Sequence, residues 1–273
     1  MVTAVDDLSP WFADWPVERA AAGLTDADGT RALGGDPHWQ VGIASVSKLL
    51  TGLAALVAVE EGAVELDEPA GPPGSTVRHL LAHASGLDFD TDRIRAEPGT
   101  RRIYSNVGIE QFAEHLAHRS GIQFDDYLRQ AVLEPLGMRH TELRGSPAHA
   151  VASTVDDLLR FARELLRPTL ISPELLVEAT TVQWPDLAGL VPGIGRFDPN
   201  PWGLTFELRG RKDPHWTGSR NSTRTFGHFG ASGTFLWVDP DVGLACVVLT
   251  SERFGPWAKA AWPQFSDAVL AMA

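Results

Sequence analysis

From Lys48 the chain reads KLLTGLAALVAVEEG. Leu49, Leu50, Leu53, Leu56, Val57 and Val59 recur at near-helical spacing, and Gly62 is placed to stop the run. This pattern predicts a long buried helix that opens near Ser45, approached by a short extended segment at Trp39-Gln40-Val41-Gly42-Ile43. Further helical patterns lie at 76–83, 107–120, 123–132, 154–166, 173–180 and 256–271. Residues 6–15 predict a short helix, with Ser9-Pro10 at its start. Two apolar, β-prone runs, Phe235 to Val238 and Leu244 to Thr250, flank the turn Asp239-Pro240-Asp241-Val242-Gly243 and predict a hairpin. A weaker hairpin spans 19–33, turning through Asp26-Ala27-Asp28-Gly29. Other strand patterns return only after about residue 203. The Pro- and Gly-rich stretch 184–201 predicts a loop near a cleft.

Strand patterns therefore sit at both ends of the chain, with helices between. The economical solution is an α+β fold. It has an antiparallel sheet of about five strands, flanked by the serine helix and the terminal helix, and an inserted, mostly helical lobe. The expected boundaries are 1–62 and 184–273 for the discontinuous sheet lobe and 63–183 for the helical lobe, with a cleft between them.

Composition narrows the functional classes. The chain has 273 residues, 44% of them apolar, enough for a sizeable core. Asp and Glu number 35 against 23 Lys and Arg, a formal charge of −12, which argues against nucleic acid or anionic membranes as partners. No window resembles a membrane span. The N-terminal MVTAVDDLSPWFADW has neither a basic stretch nor a long apolar run, so a cytoplasmic protein is expected. The one cysteine, Cys246, lies in an apolar strand pattern and reads as a small core residue.

Three segments carry candidate chemistry. Ser45-Val46-Ser47-Lys48 puts a hydroxyl and an amine one helical turn apart on one face, at the positive end of the helix. This makes a workable nucleophile with a proton acceptor beside it, although S-x-x-K alone is common. Pro98-Gly99-Thr100 leads into Tyr104-Ser105-Asn106, on a loop entering the next helix. A tyrosine beside a lysine can exchange a proton with it, and an asparagine offers a donor and an acceptor to a substrate amide. Gly227-His228-Phe229-Gly230-Ala231 sets a histidine on a strand edge, with glycines that permit close approach. His79 and His83 are four apart, but there is no H-E-x-x-H and no third ligand, so hydrogen bonding is their expected role. Trp202, Phe206, Trp216, Phe229 and Phe235 are candidates for an acyl pocket or for core.

Together these segments resemble the serine β-lactamase-like and penicillin-recognising hydrolases. The similarity is strongest to the group that holds class C β-lactamases, D-alanyl carboxypeptidases, D-aminopeptidases and esterases. Further segments carry the resemblance in the family's order over about residues 18–252. They are His79-Leu80-Leu81-Ala82-His83-Ala84-Ser85-Gly86-Leu87, Glu134-Pro135-Leu136-Gly137-Met138 and Ser153-Thr154-Val155-Asp156-Asp157-Leu158. The resemblance implies an acyl-enzyme mechanism with Ser45 as nucleophile and Lys48 and Tyr104 in proton transfer, either of them the base. It implies an oxyanion hole from the Ser45 and Ala231 backbone, after Gly230, and substrate orientation by Asn106 and His228. No cofactor or metal is expected, and the partner is a small ester, amide or peptide-like substrate. The chain departs from the family where its β-lactamases carry Lys-Thr-Gly, because here His228-Phe229-Gly230 stands instead. A His-x-Gly there resembles the D-aminopeptidase and esterase-like members, and an esterase is the expected function. The alternatives are a β-lactamase, D,D-carboxypeptidase or D-aminopeptidase, and a binding protein that keeps the fold without turnover.

Overall fold

The computed structural model describes residues 5–272. In chain order the strands are Asp6–Asp7 (β1), Ala20–Thr25 (β2), Thr30–Gly34 (β3), Val41–Gly42 (β4), Glu142–Leu143 (β5) and Val151–Ser153 (β6). They continue as Gly189–Val191 (β7), Gly195–Phe197 (β8), Glu207–Leu208 (β9), Phe226–Gly230 (β10), Thr234–Asp239 (β11) and Leu244–Thr250 (β12). The α-helices are Ser47–Glu60 (α1), Val77–Leu81 (α2), Asn106–Ser120 (α3), Phe124–Leu128 (α4), Val155–Leu166 (α5), Pro173–Ala179 (α6) and Pro256–Leu270 (α7).

The main sheet runs β1-β3-β2-β12-β11-β10-β9, antiparallel except for β1 against β3. It has seven strands where about five were expected. The two extra members, β1 and β9, are dipeptides at the edges, too short to show alternation. Alternation along the central strands sorts the core into two layers. Ala21, Leu236, Val238, Val247 and Leu249 face the layer that holds α1 and α5, including Leu53, Val155 and Leu158. Ala22, Phe235, Trp237, Cys246 and Val248 face α7 through Ala258, Trp262, Phe265 and Val269. The sheet is thus covered on both faces, which explains why β10, β11 and β12 are buried throughout. Gly23 lets α5 approach closely, since a Cβ there would lie 2.7 Å from Leu159. Cys246 is fully buried in β12.

The structure corrects several local expectations. Residues 6–15 form β1 and a 3-10 turn, Ser9–Phe12, in place of a helix. The pattern at 123–132 divides into α4 and a π turn at Arg129–Leu133. Strands also occur before residue 203. β4, β6 and β5 form a small sheet beside the serine turn, and β7 and β8 form a hairpin inside the stretch expected to be loop. No helix among the described residues is long and apolar enough to cross a membrane.

Candidate active site

Ser45 lies in a 3-10 turn, Ala44–Val46, that leads directly into α1. Ala44 has φ 44°, a left-handed conformation that costs a non-glycine residue about 1–3 kcal/mol and sharpens the entry. Three contacts hold the turn. Ile43 N–H donates to the Val151 carbonyl at 2.9 Å, Ser47 Oγ to the Ala44 carbonyl at 2.6 Å, and Thr234 Oγ1 to the Ile43 carbonyl at 2.9 Å. The small β4–β6 sheet and β11 therefore fix the serine from two sides. Gly230 lets β10 pass close by, since a Cβ on it would lie 2.4 Å from the Ile43 carbonyl oxygen.

Lys48 is fully buried one turn along α1. Its Nζ donates to Asn106 Oδ1 at 2.6 Å and to the Ala148 carbonyl at 2.8 Å, and sits 4.7 Å from the centre of the Tyr104 ring. Burial lowers the amine to about 7, against the opposing pull of Glu110 and Asp90. A neutral amine has two N–H bonds and one lone pair. Both donors are engaged, so the lone pair is its free valence.

Tyr104 is buried, and its hydroxyl lies 3.2 Å from His228 Nε2. His228 Nδ1 meets the Phe229 carbonyl at 2.6 Å. A carbonyl only accepts, so Nδ1 carries the proton and Nε2 accepts from the Tyr104 hydroxyl. Burial pushes His228 down to about 3, helped by the Lys48 charge, so the imidazole is neutral at pH 7. Burial also drives the Tyr104 phenol well above its usual range, while a hydrogen bond with Ser45 opposes that shift. His83 packs against Tyr104, with ring centres 4.5 Å apart and planes tilted by 40°, and accepts the Ser105 N–H through Nδ1. His79 belongs to the cap of α2, bonded to Thr76.

Asn106 begins α3, behind the cap supplied by Ser105. Its amide oxygen takes Lys48, and its Nδ2 donates to Asp90 Oδ1 at 2.7 Å. Both ends of the side chain are thus occupied within the protein. Among the described residues, neither the Ser45 nor the Ala231 backbone N–H is engaged by another backbone carbonyl.

Ser45, Tyr104, His228 and Ala231 open on a cavity of about 200 Å³, whose walls also include Trp202, Phe229, Phe89, Val191 and Phe254. Of the aromatic candidates, Trp202 and Phe229 reach this cavity. Phe206, Trp216 and Phe235 pack in the core. A wider cleft of about 630 Å³ lies among Glu110, Glu114, His118 and Asp125, and neither Ser45, Lys48, Tyr104 nor His228 lines it.

Sequence reasoning missed Asp90, Glu110 and Glu207. The first two act on Lys48 through space. Glu207 lines the cavity from β9 while it holds Lys212, His215 Nε2 at 3.0 Å and Trp216 Nε1 at 2.7 Å. None belongs to a recurring local motif, so no signal in the chain marked them.

Comparison with known proteins gives the family and the fold. A family model described as Beta-lactamase matches residues 13–270. The chain belongs to the β-lactamase family. It is 55% identical to a structure of a β-lactamase from Mycobacterium bovis, with 96% of this chain and 98% of that one covered and a TM-score of 0.95. It is 26% identical over 144 residues to the D-alanyl-D-alanine-carboxypeptidase/endopeptidase AmpH of Escherichia coli, a match spanning 39% of this chain and 37% of that protein. The fold also matches simvastatin synthase from Aspergillus terreus at a TM-score of 0.79 and 17% identity, covering 97% and 96% of the two chains. The β-lactamase-type architecture thus extends over nearly the whole molecule.

Proposed function

We propose that the protein is a serine hydrolase that acylates Ser45 and cleaves esters of small apolar acyl groups. The observation that carries this reading is the state of Lys48, a buried amine brought to about 7, with both donors engaged and its lone pair free. In this scheme Lys48 is the base, because the Tyr104 phenol is raised too far to ionise. Ser45 Oγ forms a bond to the substrate carbonyl carbon as its proton passes to Lys48. The oxyanion is held by the Ser45 and Ala231 N–H groups. The bond to the leaving oxygen then breaks, and Tyr104 hands that oxygen a proton as Lys48 returns the serine's proton to the phenol, which restores both groups. Water repeats the sequence to release the acid. In this reading the cleft lies between a sheet lobe (1–62 and 184–273) and a helical lobe (63–183), whose α5 reaches across to cover the sheet. Ser45 and His228 come from one side, Phe89 and Tyr104 from the other.

At about 200 Å³ the cavity is below the roughly 300–1,000 Å³ of pockets for drug-sized ligands, which favours a short acyl chain. His228 is neutral, so it offers no cation to a carboxylate placed next to the scissile bond, as in β-lactams. A second reading, β-lactam hydrolysis, is favoured by the similarity to the M. bovis β-lactamase. One assay separates them, kcat/KM for p-nitrophenyl butyrate and nitrocefin side by side. The ester is expected to be the better substrate, and Ser45→Ala is expected to lower its turnover roughly 10⁴-fold or more. Nitrocefin turnover exceeding that of the ester would reject the esterase reading. A fluorophosphonate adduct that persists in Ser45→Ala would reject the nucleophile.

A further inference from the structure

A second cavity, of about 480 Å³, adjoins the acyl pocket and shares Phe89, Tyr104 and Pro192 with it. Its other walls include Arg95, Arg101 and Arg196. The local backbone explains how these arginines face the same space. Arg102 pairs with Gly189 of β7, and its guanidinium turns inward to the carbonyls of Ala82, Gln183, Trp184 and Asn200. Successive side chains of an extended segment point opposite ways, so Arg101 turns outward. Arg196 is the cross-strand partner of Leu190, which places both on one face of the β7–β8 hairpin.

These arginines are poorly matched within the protein. Among the described residues, Arg101 and Arg196 make no side-chain hydrogen bond or ion pair, and both are exposed. Arg95 stands 3.7 Å from Asp88, beyond hydrogen-bonding distance, and Asp88 is the cavity's one carboxylate. Arg31, Arg129, Arg144, Arg160, Arg167 and Arg224 each hold a carboxylate. Arg93, Arg139, Arg211, Arg220 and Arg253 also lack a side-chain partner among the described residues, and none of them lines this cleft. In a chain with 35 acidic against 23 basic side chains, unpaired guanidinium groups gathered in one cleft form a local reversal of charge. Phe89 and Leu190, 44% and 58% exposed, add apolar wall to the same cleft.

We propose that this cleft binds an anionic group, a carboxylate or a phosphate, on the leaving portion of the substrate. The substrates are then esters that join a small apolar acyl group to an anionic alcohol. The guanidinium fork matches both anions in bidentate geometry. Ser45 is not among the cleft's lining residues, so the anion sits several bonds beyond the scissile carbonyl. This inference rests on the hydrolase reading above. Its chemistry is the same acyl transfer: the Ser45 Oγ–carbon bond forms, the ester C–O bond breaks, and the anionic alcohol leaves with a proton from Tyr104.

The test compares 4-(butanoyloxy)benzoate with 4-acetylphenyl butanoate, and adds 4-(phosphonooxy)phenyl butanoate as the phosphate arm. The acetylphenol is the better leaving group, so intrinsic reactivity favours the neutral ester. Wild type at low ionic strength should nevertheless prefer one of the anionic esters by about tenfold in kcat/KM, and salt should erode the preference. Which anionic ester is preferred identifies the anion. Arg101→Gln with Arg196→Gln should remove the preference, and Arg101→Glu with Arg196→Glu should invert it. Fluorophosphonate labelling of Ser45 and thermal melting confirm that the variants are folded. Neutral-ester turnover with the same anionic-to-neutral ratio in wild type and both double variants overturns this proposal alone. If wild type leaves every ester intact, the hydrolase reading falls and this inference with it.

Discussion

Burial of Lys48 sets the pH behaviour expected of the reaction. An amine accepts a proton only when neutral, so kcat/KM should rise with pH through about 7 and level off above it. His228, held at about 3, should add no limb near 6.5. The neighbours of Lys48 give the sign of two shifts. Asn106→Asp adds an anion to the position 2.6 Å from Nζ and should move the limb to higher pH. Glu110→Gln removes an anion that raises Lys48 and should move it lower. A pH–rate profile of the three proteins checks both directions, and a common midpoint would exclude Lys48 as the base. Tyr104→Phe should reduce turnover roughly 10²-fold with the limb in place, as expected for a group that passes a proton without being the base. Ser45, Lys48 and Tyr104 were legible in the sequence because helix spacing and a short loop motif place them locally. The environment that tunes them was not. Asp90 and Glu110 reach Lys48 only after α1 and α3 have packed. Asn106 and His228 were read as facing substrate, yet their polar atoms meet Lys48, Asp90, Tyr104 and the Phe229 carbonyl.

Among the elements, β10 and the serine turn form the joint on which the geometry depends. Gly230 lies where the strand passes the Ile43 carbonyl, and its missing side chain sets the separation. Gly230→Ala puts a Cβ 2.4 Å from the Ile43 carbonyl oxygen and 2.6 Å from Thr234 Oγ1, so either β10 or the turn must move. Misplacement of about 1 Å can cost 10²-fold, and that is the expected loss in kcat/KM, with little change in far-ultraviolet circular dichroism. Activity within a factor of about two of wild type would show that the joint tolerates movement and does not set the geometry. The helices and the β11–β12 hairpin were legible because apolar periodicity persists along them. The β4–β6 sheet and the β7–β8 hairpin were not, since strands of two or three residues carry no period to read. Both matter to function, one by bracing Ser45 and the other by walling the acyl pocket with Val191.

At the scale of the whole molecule, four buried groups, Glu207, His228, His83 and Lys48, couple folding to pH in one direction, and the raised Cys246 thiol and Tyr104 phenol oppose them only at alkaline pH. Glu207 is lowered to about 2, where the charges of Lys212 and His215 outweigh the burial that would raise it. His228 is lowered to about 3, and His83 well below its usual value. Each of these groups holds fewer protons folded than unfolded across its own window. The stability each contributes is present above the unfolded pKa and is lost as pH falls through the folded one. Lys48 follows the same sign at higher pH. The unfolded amine stays protonated up to 10.5 and the folded one only to about 7, so stability should rise with pH across that interval. One group contributes up to about 1.4 kcal/mol per pH unit there. Urea unfolding at intervals from pH 5 to 9.5 should therefore show stability still increasing above neutrality, where an acidic protein usually gains nothing. Lys48→Met leaves two acceptors without donors and should lower stability in absolute terms, so the slope is the informative quantity. It should flatten between pH 7 and 9.5, while the loss below pH 6.5 remains. Parallel curves for wild type and Lys48→Met above pH 7 would show that Lys48 is not held neutral by the fold, and the base assignment would fail with it.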